Sequence, residues 1–316
     1  MPAREYEVAI VGGGPVGVAL AVDLGQRGVR TLLVERHLEP QRIPKGQNLT
    51  NRSLEHFYFR HCIDELRAAR VMPPGYPSGG VTVYQDLTNP YFYTMQWGGR
   101  GPAVQDYFYE RAERLPQYRT EAVLRQRLAA LPSVAPRFGW NATDVKQDAN
   151  GVSVSLSPVA GGALESATAE YVVGCDGGRS LVRECMGVDH DGRDFDQRMV
   201  LAVFRSRELH EFLSRFPPAT TYRVLKPELQ GYWQFFGRVD VGEEFFFHAP
   251  VPGTPSLRTT IFSACSALRP ASSSMRSWTT SASGTCASWL PAATAWDACL
   301  SRATRAISIR RTGASA

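Results

Sequence analysis

The sequence predicts an α/β fold in which a mixed, largely parallel sheet carries a smaller β-rich domain. Three observations carry that expectation. Residues 6–11 (YEVAIV) are a short apolar, β-branched run, suited to a strand buried on both faces. Glycines, a helical stretch and a second run of the same kind (TLLVE, 31–35) follow in βαβ order, which implies parallel strands and a right-handed crossover. Far downstream, residues 199–250 hold several strand-like segments (TTYRVL, GYWQFF, EEFFFHA), the pattern of a mostly antiparallel second sheet.

Taken in order, the first helix is expected from about Pro15 to Arg27, with Gly28 closing it as a C-cap residue would. Residues 52–70 read as one helix with Leu54, Phe57, Cys62 and Leu66 on its inner face. From 72 to 100 the chain is rich in Pro, Gly and aromatics, as an excursion into a second domain would be. Thr120–Leu131 (TEAVLRQRLAAL) is amphipathic at helical spacing. Gly151–Ser157 alternates as a half-buried strand does, and Tyr171–Gly174 (YVVG) is another buried strand. The expected division is a discontinuous nucleotide-binding domain over 1–75 and 100–185, and a β-rich domain over 76–99 and 186–255.

Composition narrows the function classes. No run of roughly 18 apolar residues occurs, so no membrane-spanning helix is expected. The first residues lack the regions of a signal peptide, and the expected location is cytoplasmic. The six cysteines show neither a CxxC pair nor zinc spacing, so no metal site is expected. The net charge of +5 is misleading, because residues 256–316 hold seven Arg, no Lys, one Asp and no Glu. Residues 1–255 hold 28 basic and 29 acidic residues, which gives no electrostatic case for nucleic acid as a partner.

The chemistry begins at Gly12, Gly14 and Gly17, a GxGxxG with Pro15 inside it, placed directly after a strand and opening a helix. Gly12 allows the tight turn, Gly14 lets the backbone approach a pyrophosphate, and Gly17 lets helix and strand pack closely. The helix N-terminus then faces the phosphates with unpaired N–H groups and its positive dipole end. Glu35 lies 21 residues past Gly14, at the end of the second strand, where a carboxylate can accept ribose hydroxyls. This unit predicts a Rossmann-like dinucleotide site. On spacing alone it suits FAD and NAD equally.

Further stretches carry a resemblance. Tyr171–Arg183 (YVVGCDGGRSLVR) is similar to the second fingerprint of the flavoprotein aromatic hydroxylases, the class A FAD-dependent monooxygenases, with its Asp-Gly pair at Asp176–Gly177. Glu35–Arg36 resembles that family's Glu-Arg pair, and Lys45–Glu55 (KGQNLTNRSLE) resembles its segment beside the flavin, with Arg52 and Glu55 in register. The family has Arg where Lys45 stands, and Lys supplies charge there without a bidentate fork. Gln117, with Glu121 and Leu124 (QYRTEAVL), resembles the helix start whose Gln touches the FAD chain. The resemblance implies FAD as cofactor, with Asp176 touching it and Arg179 accommodating FAD or the visiting NADPH. It also implies NADPH or NADH as co-substrate, O2, and a phenolic or polyketide-like aromatic substrate.

No side-chain constellation for catalysis is visible. The six histidines are scattered singly, and no GxSxG, HExxH or paired carboxylates occur. That fits the resemblance, in which the flavin does the hard step and the protein binds, orients and excludes water. Tyr91, Phe92, Tyr93, Trp97, Tyr232, Trp233, Phe235 and Phe236 could line a substrate pocket or form the core of the second domain. Two alternatives stay open: a flavin or nicotinamide oxidoreductase of similar fold without oxygen insertion, and a non-enzymatic product. The sequence carries no signal for oligomeric state.

The last 61 residues differ in kind, since 34 of them are Ser, Ala or Thr and no helical or strand period survives. The family's third signature, near GDAAHxxPPxGGxGxN, is not visible in them. A one-base frame slip recovers it: the bases that Ala303–Ala316 dictate can be read in the shifted frame as GDAGHQHPPYGGFG. Residues from about Ser256 are therefore expected to be out-of-frame and without order, and the 316-residue chain to hold FAD poorly. The rival is a genuine disordered Ser/Ala/Arg tail.

Overall fold

The computed structural model describes residues 4–96, 106–192, 199–227, 233–250 and 307–309. Trp97, Tyr232 and almost all of 256–316 lie outside the described residues.

The first sheet is built as the βαβ order requires. Strand β1 (Tyr6–Val11) pairs in parallel with β2 (Thr31–Glu35) on one side and with β10 (Glu165–Gly174) on the other. Strand β7 (Val134–Phe138) adds in parallel to β2. The sheet turns antiparallel at β9 (Gly151–Pro158) and β8 (Trp140–Asp148). The three residues Ile307–Ile309 form β15, antiparallel to β10.

Both faces of this sheet are covered. Ile10 and Leu33 point into a core shared with α1 (Pro15–Gly25), α2 (Asn51–Phe59), α3 (Ile63–Ala68) and α4 (Gln117–Ala129). Ala9, Val11, Leu32 and Val34 point the other way, against β8, β9 and α5 (Leu181–Cys185). This two-sided burial is why β1 and β2 show no polar alternation. Each fully buried aliphatic side chain contributes about 1.5–3 kcal/mol.

The structure corrects the single helix expected over 52–70. It breaks at His61, which takes a left-handed conformation (φ 54°). The His61 N–H donates to the Tyr58 carbonyl at 2.9 Å and the Cys62 N–H to the Phe57 carbonyl at 3.2 Å, a Schellman closure with histidine where glycine is usual. Leu54, Phe57, Cys62 and Leu66 are nonetheless all buried, because the restart at Cys62 keeps the same face inward. The helix expected at Thr120 begins three residues earlier, at Gln117, directly after Pro116.

The second sheet has six strands in the order β11-β14-β13-β12-β4-β5. They are β4 (Gly79–Tyr84), β5 (Tyr91–Gln96), β11 (Met199–Arg205), β12 (Thr221–Leu225), β13 (Trp233–Arg238) and β14 (Glu244–Pro250). The pairings are antiparallel except β12 with β4, which is parallel and joins two distant parts of the chain. One face packs Tyr222, Phe236 and Phe245 against α6 (Arg207–Phe212).

Arg114, on the short strand β6 (Glu113–Arg114) paired with residues 48–49, ties that two-stranded ribbon to the second sheet. It is 4% exposed and donates to Asn48 Oδ1, Gln47 Oε1 and the Arg238 carbonyl, each at 3.0 Å. Among the described residues it has no carboxylate partner. Burial alone lowers its guanidinium to about 10, still charged at neutral pH. Among the described residues no helix is long and apolar enough to cross a membrane.

Candidate functional site

Strands β1, β2 and β10 run parallel, so their C-terminal ends share one edge of the sheet. That edge gathers the residues singled out above. Gly12–Gly17 follow β1, Glu35–His37 close β2, and Cys175–Arg179 follow β10. Crevices at the carboxyl ends of parallel strands are where open α/β sheets bind ligands.

Within the turn each glycine answers a different neighbour. Gly12 has φ 101°, and a Cβ there would collide with the Cys175 carbonyl. A Cβ at Gly17 would run into the Gly12 carbonyl. Gly14 is the opposite case, since an added Cβ would meet nothing within 4 Å. Its lack of a side chain leaves open room in front of α1, where a pyrophosphate would lie. Pro15 occupies the first position of α1, and no side chain caps that N-terminus, which leaves its first N–H groups for a ligand. These residues fit a dinucleotide: two glycines closed by packing and one left open.

Gly13 carries no role in the sequence pattern, yet it has one in the structure. Its N–H donates to Glu35 Oε2 at 2.7 Å, and a Cβ would stand 2.5 Å from the Glu35 Cβ. The His37 N–H donates to Glu35 Oε1 at 2.9 Å. The carboxylate is thus fixed by two backbone donors and keeps lone pairs for ribose hydroxyls. Only the side-chain reach from Glu35 back to the turn, invisible in spacing, could have flagged Gly13. Arg36 is exposed beside it, its Nε donating to His37 Nε2 at 3.3 Å. Burial lowers the His37 imidazole below its ordinary value, with Glu35 opposing that shift.

At β10, Asp176 turns its carboxylate onto the start of α5. Oδ1 accepts the Ser180 hydroxyl at 2.6 Å and Oδ2 accepts the Val182 N–H at 3.3 Å. Gly177 is left-handed (φ 83°), which makes the turn, and Arg179 is exposed on it.

Lys45 and Gln117 come together through Gly46. The Gln117 N–H donates to the Gly46 carbonyl at 2.9 Å, while its side-chain Nε2 donates to Glu121 Oε1 at 2.7 Å. Lys45 is exposed. Arg52 stands apart on α2, with 70% of its side chain exposed, in an ion pair with Glu55 at 2.8 Å. Arg52 and the Tyr109 N–H hold the Glu55 carboxyl below its ordinary range. Among the described residues the aromatic side chains do not gather into one pocket. Tyr91, Phe92 and Tyr93 are exposed on edge strand β5, and the adjacent Phe235 and Phe236 point to opposite faces of β13.

The chain is similar to several known proteins. Over 237 residues the chain is 32% identical to a 12-dehydrotetracycline 5-monooxygenase/anhydrotetracycline 6-monooxygenase from Streptomyces rimosus, covering 73% of this chain and 42% of that protein. Over 257 residues it is 31% identical to a rifampicin monooxygenase from Streptomyces venezuelae, covering 80% and 47%. The chain spans about half the length of the curated relatives it matches. Its fold is similar to that of the flavin-dependent monooxygenase PieE, solved with FAD and substrate, at TM-score 0.74 and 24% identity over 84% of this chain and 47% of that one. A family model described as FAD binding domain matches residues 5–312, a span that includes most of the segment read above as out of frame. With its glycine turn, its fixed acidic residue and that match over nearly its whole length, the chain belongs to the FAD-binding-domain family of the aromatic hydroxylases.

Proposed function

We propose that this chain supplies the dinucleotide-binding part of an FAD-dependent monooxygenase that uses NAD(P)H and O2 to hydroxylate a phenolic or polyketide-like aromatic ring. The observation that carries the reading is the shared edge of β1, β2 and β10, where Glu35 is bonded to Gly13 and the space in front of Gly14 is open. Gly12, Gly14, Pro15 and Gly17 admit the pyrophosphate, Glu35 accepts the ribose hydroxyls, and Arg36, Lys45 and Arg179 supply positive charge around them. Gln117, Asp176 and Gly177 bound the remainder of the cofactor, and Arg52 holds the neighbouring segment through Glu55. The bound flavin supplies hydride acceptance and oxygen activation. The second sheet, β4, β5 and β11–β14, forms the substrate side, with Arg114 fixing it to the cofactor side. The relatives described above are named for 12-dehydrotetracycline and anhydrotetracycline and for rifampicin, which supports a polyketide-like aromatic substrate.

The test is NADPH oxidation by the protein supplied with FAD, with and without an added phenol. Oxidation that the phenol accelerates, with a hydroxylated product, supports the reading. Oxidation indifferent to any aromatic compound favours a flavin oxidoreductase without oxygen insertion.

A separate proposal concerns residues 256–316. The recovered third signature favours an out-of-frame segment, against a family match that continues to residue 312. The coding DNA decides between them.

A further inference from the structure

Glu121 is a buried carboxylate in an unusual position. It is 7% exposed on α4, and it accepts a hydrogen bond from a neutral amide, Gln117 Nε2, at 2.7 Å. Buried carboxylates are ordinarily paired with a cation. Arg125 lies four residues on, at the spacing where an ion pair forms along a helix. Its guanidinium instead donates to the Leu38 carbonyl at 2.5 Å and the His37 carbonyl at 3.5 Å, and lies over the Phe138 ring at 4.0 Å. Among the described residues no cation stands within ion-pair distance of Glu121.

The surroundings of Glu121 are those of the nucleotide edge. Glu35, at the end of β2, Lys45, in the loop before β3 (Asn48–Leu49), and Arg125 are the charged groups in electrostatic range, and Gln117 faces it from its own helix. Gln117 Oε1 points at Gly46, 3.8 Å from where a Cβ would be. Glu35, which accepts the Gly13 N–H of the glycine turn, is thus a charged neighbour of Glu121, and the site a diphosphate would enter lies on the far side of Glu35. Glu35 is compensated by two backbone N–H donors, and Glu121 is not. Burial raises the Glu121 carboxyl above its ordinary range; the Gln117 hydrogen bond and the Arg125 charge oppose this, and Glu35 adds to it.

We propose that Glu121 is a positioning residue of the dinucleotide site: it holds the Gln117 amide toward Gly46 and takes up one proton from solvent when a nucleoside diphosphate binds. The inference rests on the dinucleotide reading of this edge. The step is a protonation alone, in which one carboxylate oxygen gains a proton and no other bond changes. Its logic is electrostatic. A phosphate anion brought near a buried, uncompensated carboxylate disfavours the charged form of that carboxylate, so ligand and proton bind together. The sign follows: affinity is highest at low pH, falls as pH rises through the free and bound midpoints of Glu121, and levels off above both.

The experiment uses ADP, the half of FAD that this edge would hold, and then FAD. Calorimetric titration from about pH 5 to 8 in buffers of unequal ionisation enthalpy reads proton uptake directly. The Glu121 carboxyl is followed by carbon NMR with and without saturating ADP. The expected result is uptake of up to one proton per ADP and a Glu121 midpoint that rises on binding. Affinity should change about tenfold for each unit between the two midpoints. Glu121→Gln keeps an acceptor for Gln117 and should flatten the pH dependence. That variant should also melt no lower than the parent at neutral pH, because it removes a buried charge. The same proton uptake in Glu121→Gln, or a Glu121 midpoint that ADP does not move, overturns the inference. Absence of ADP binding at every pH overturns the dinucleotide reading itself.

Discussion

The Gly13 N–H donates to Glu35 Oε2 at 2.7 Å, which makes the glycine turn after β1 and the acidic end of β2 a single rigid unit. The acid is held before any ligand arrives, and the turn is held by the acid.

Substitutions in the turn should therefore separate folding from binding. Gly17→Ala drives a methyl into the Gly12 carbonyl and should lower stability by about 3 kcal/mol. Gly14→Ala meets open space in an extended backbone and should change stability by less than about 1 kcal/mol. Its methyl would occupy the phosphate approach, so ADP affinity should fall sharply. Urea melts and ADP titrations of both variants check this, and wild-type affinity in Gly14→Ala would remove the assigned role of that position.

Arg114 should prove hard to replace. Its guanidinium serves Asn48, Gln47 and the Arg238 carbonyl at once, and a truncation leaves these three acceptors, two of them in buried bonds, without their donor. Arg114→Ala should cost about 3–5 kcal/mol, as breaking a buried charged network does. Arg114→Lys should rescue little, because a compact ammonium cannot span three acceptors that a planar fork reaches. Denaturant midpoints for the two variants give the comparison; equal stability to the parent in either would show that the joint rests on apolar contacts alone.

Thiol reactivity should be ordered by burial. Burial pushes the Cys62 thiol up to about 11 and the Cys175 thiol up to about 12, whereas Cys185 is exposed. The thiolate is the reactive form, so at about pH 8 alkylation should reach Cys185 well before Cys62 or Cys175. Peptide mapping after timed iodoacetamide treatment reads the order, and early labelling of Cys175 would mean that the turn beside Gly12 opens in solution.

For the segment after about Ser256, resequencing from the Phe247 codon past the stop should show a one-base insertion or deletion near codon 256. An open shifted frame that spells the third signature gives the same answer. A shifted frame closed by stops would make residues 256–316 genuine.

The legible parts were those set by local periodicity. Both faces of β1 and β2 are buried, and an unbroken apolar run announces that. The inner face of residues 52–70 was legible for the same reason, because Leu54, Phe57, Cys62 and Leu66 recur at helical spacing. The break at His61 was not, since a left-handed histidine gives no propensity signal and is held there by carbonyls of the turn before it.

The sequence by itself determined the βαβ order, the glycine spacing and the acid at its fixed distance, because each is a property of neighbours along one chain. Only the tertiary structure decided what those groups bond to. Gly13 needs to be glycine because Glu35 folds back across 22 residues, and Asp176 spends its oxygens on the start of α5. Glu121 lacks a cation because Arg125 turns away to a loop 87 residues distant in sequence. Pairings of that range follow from how each sheet and its helices close over their own cores, and no local period encodes them.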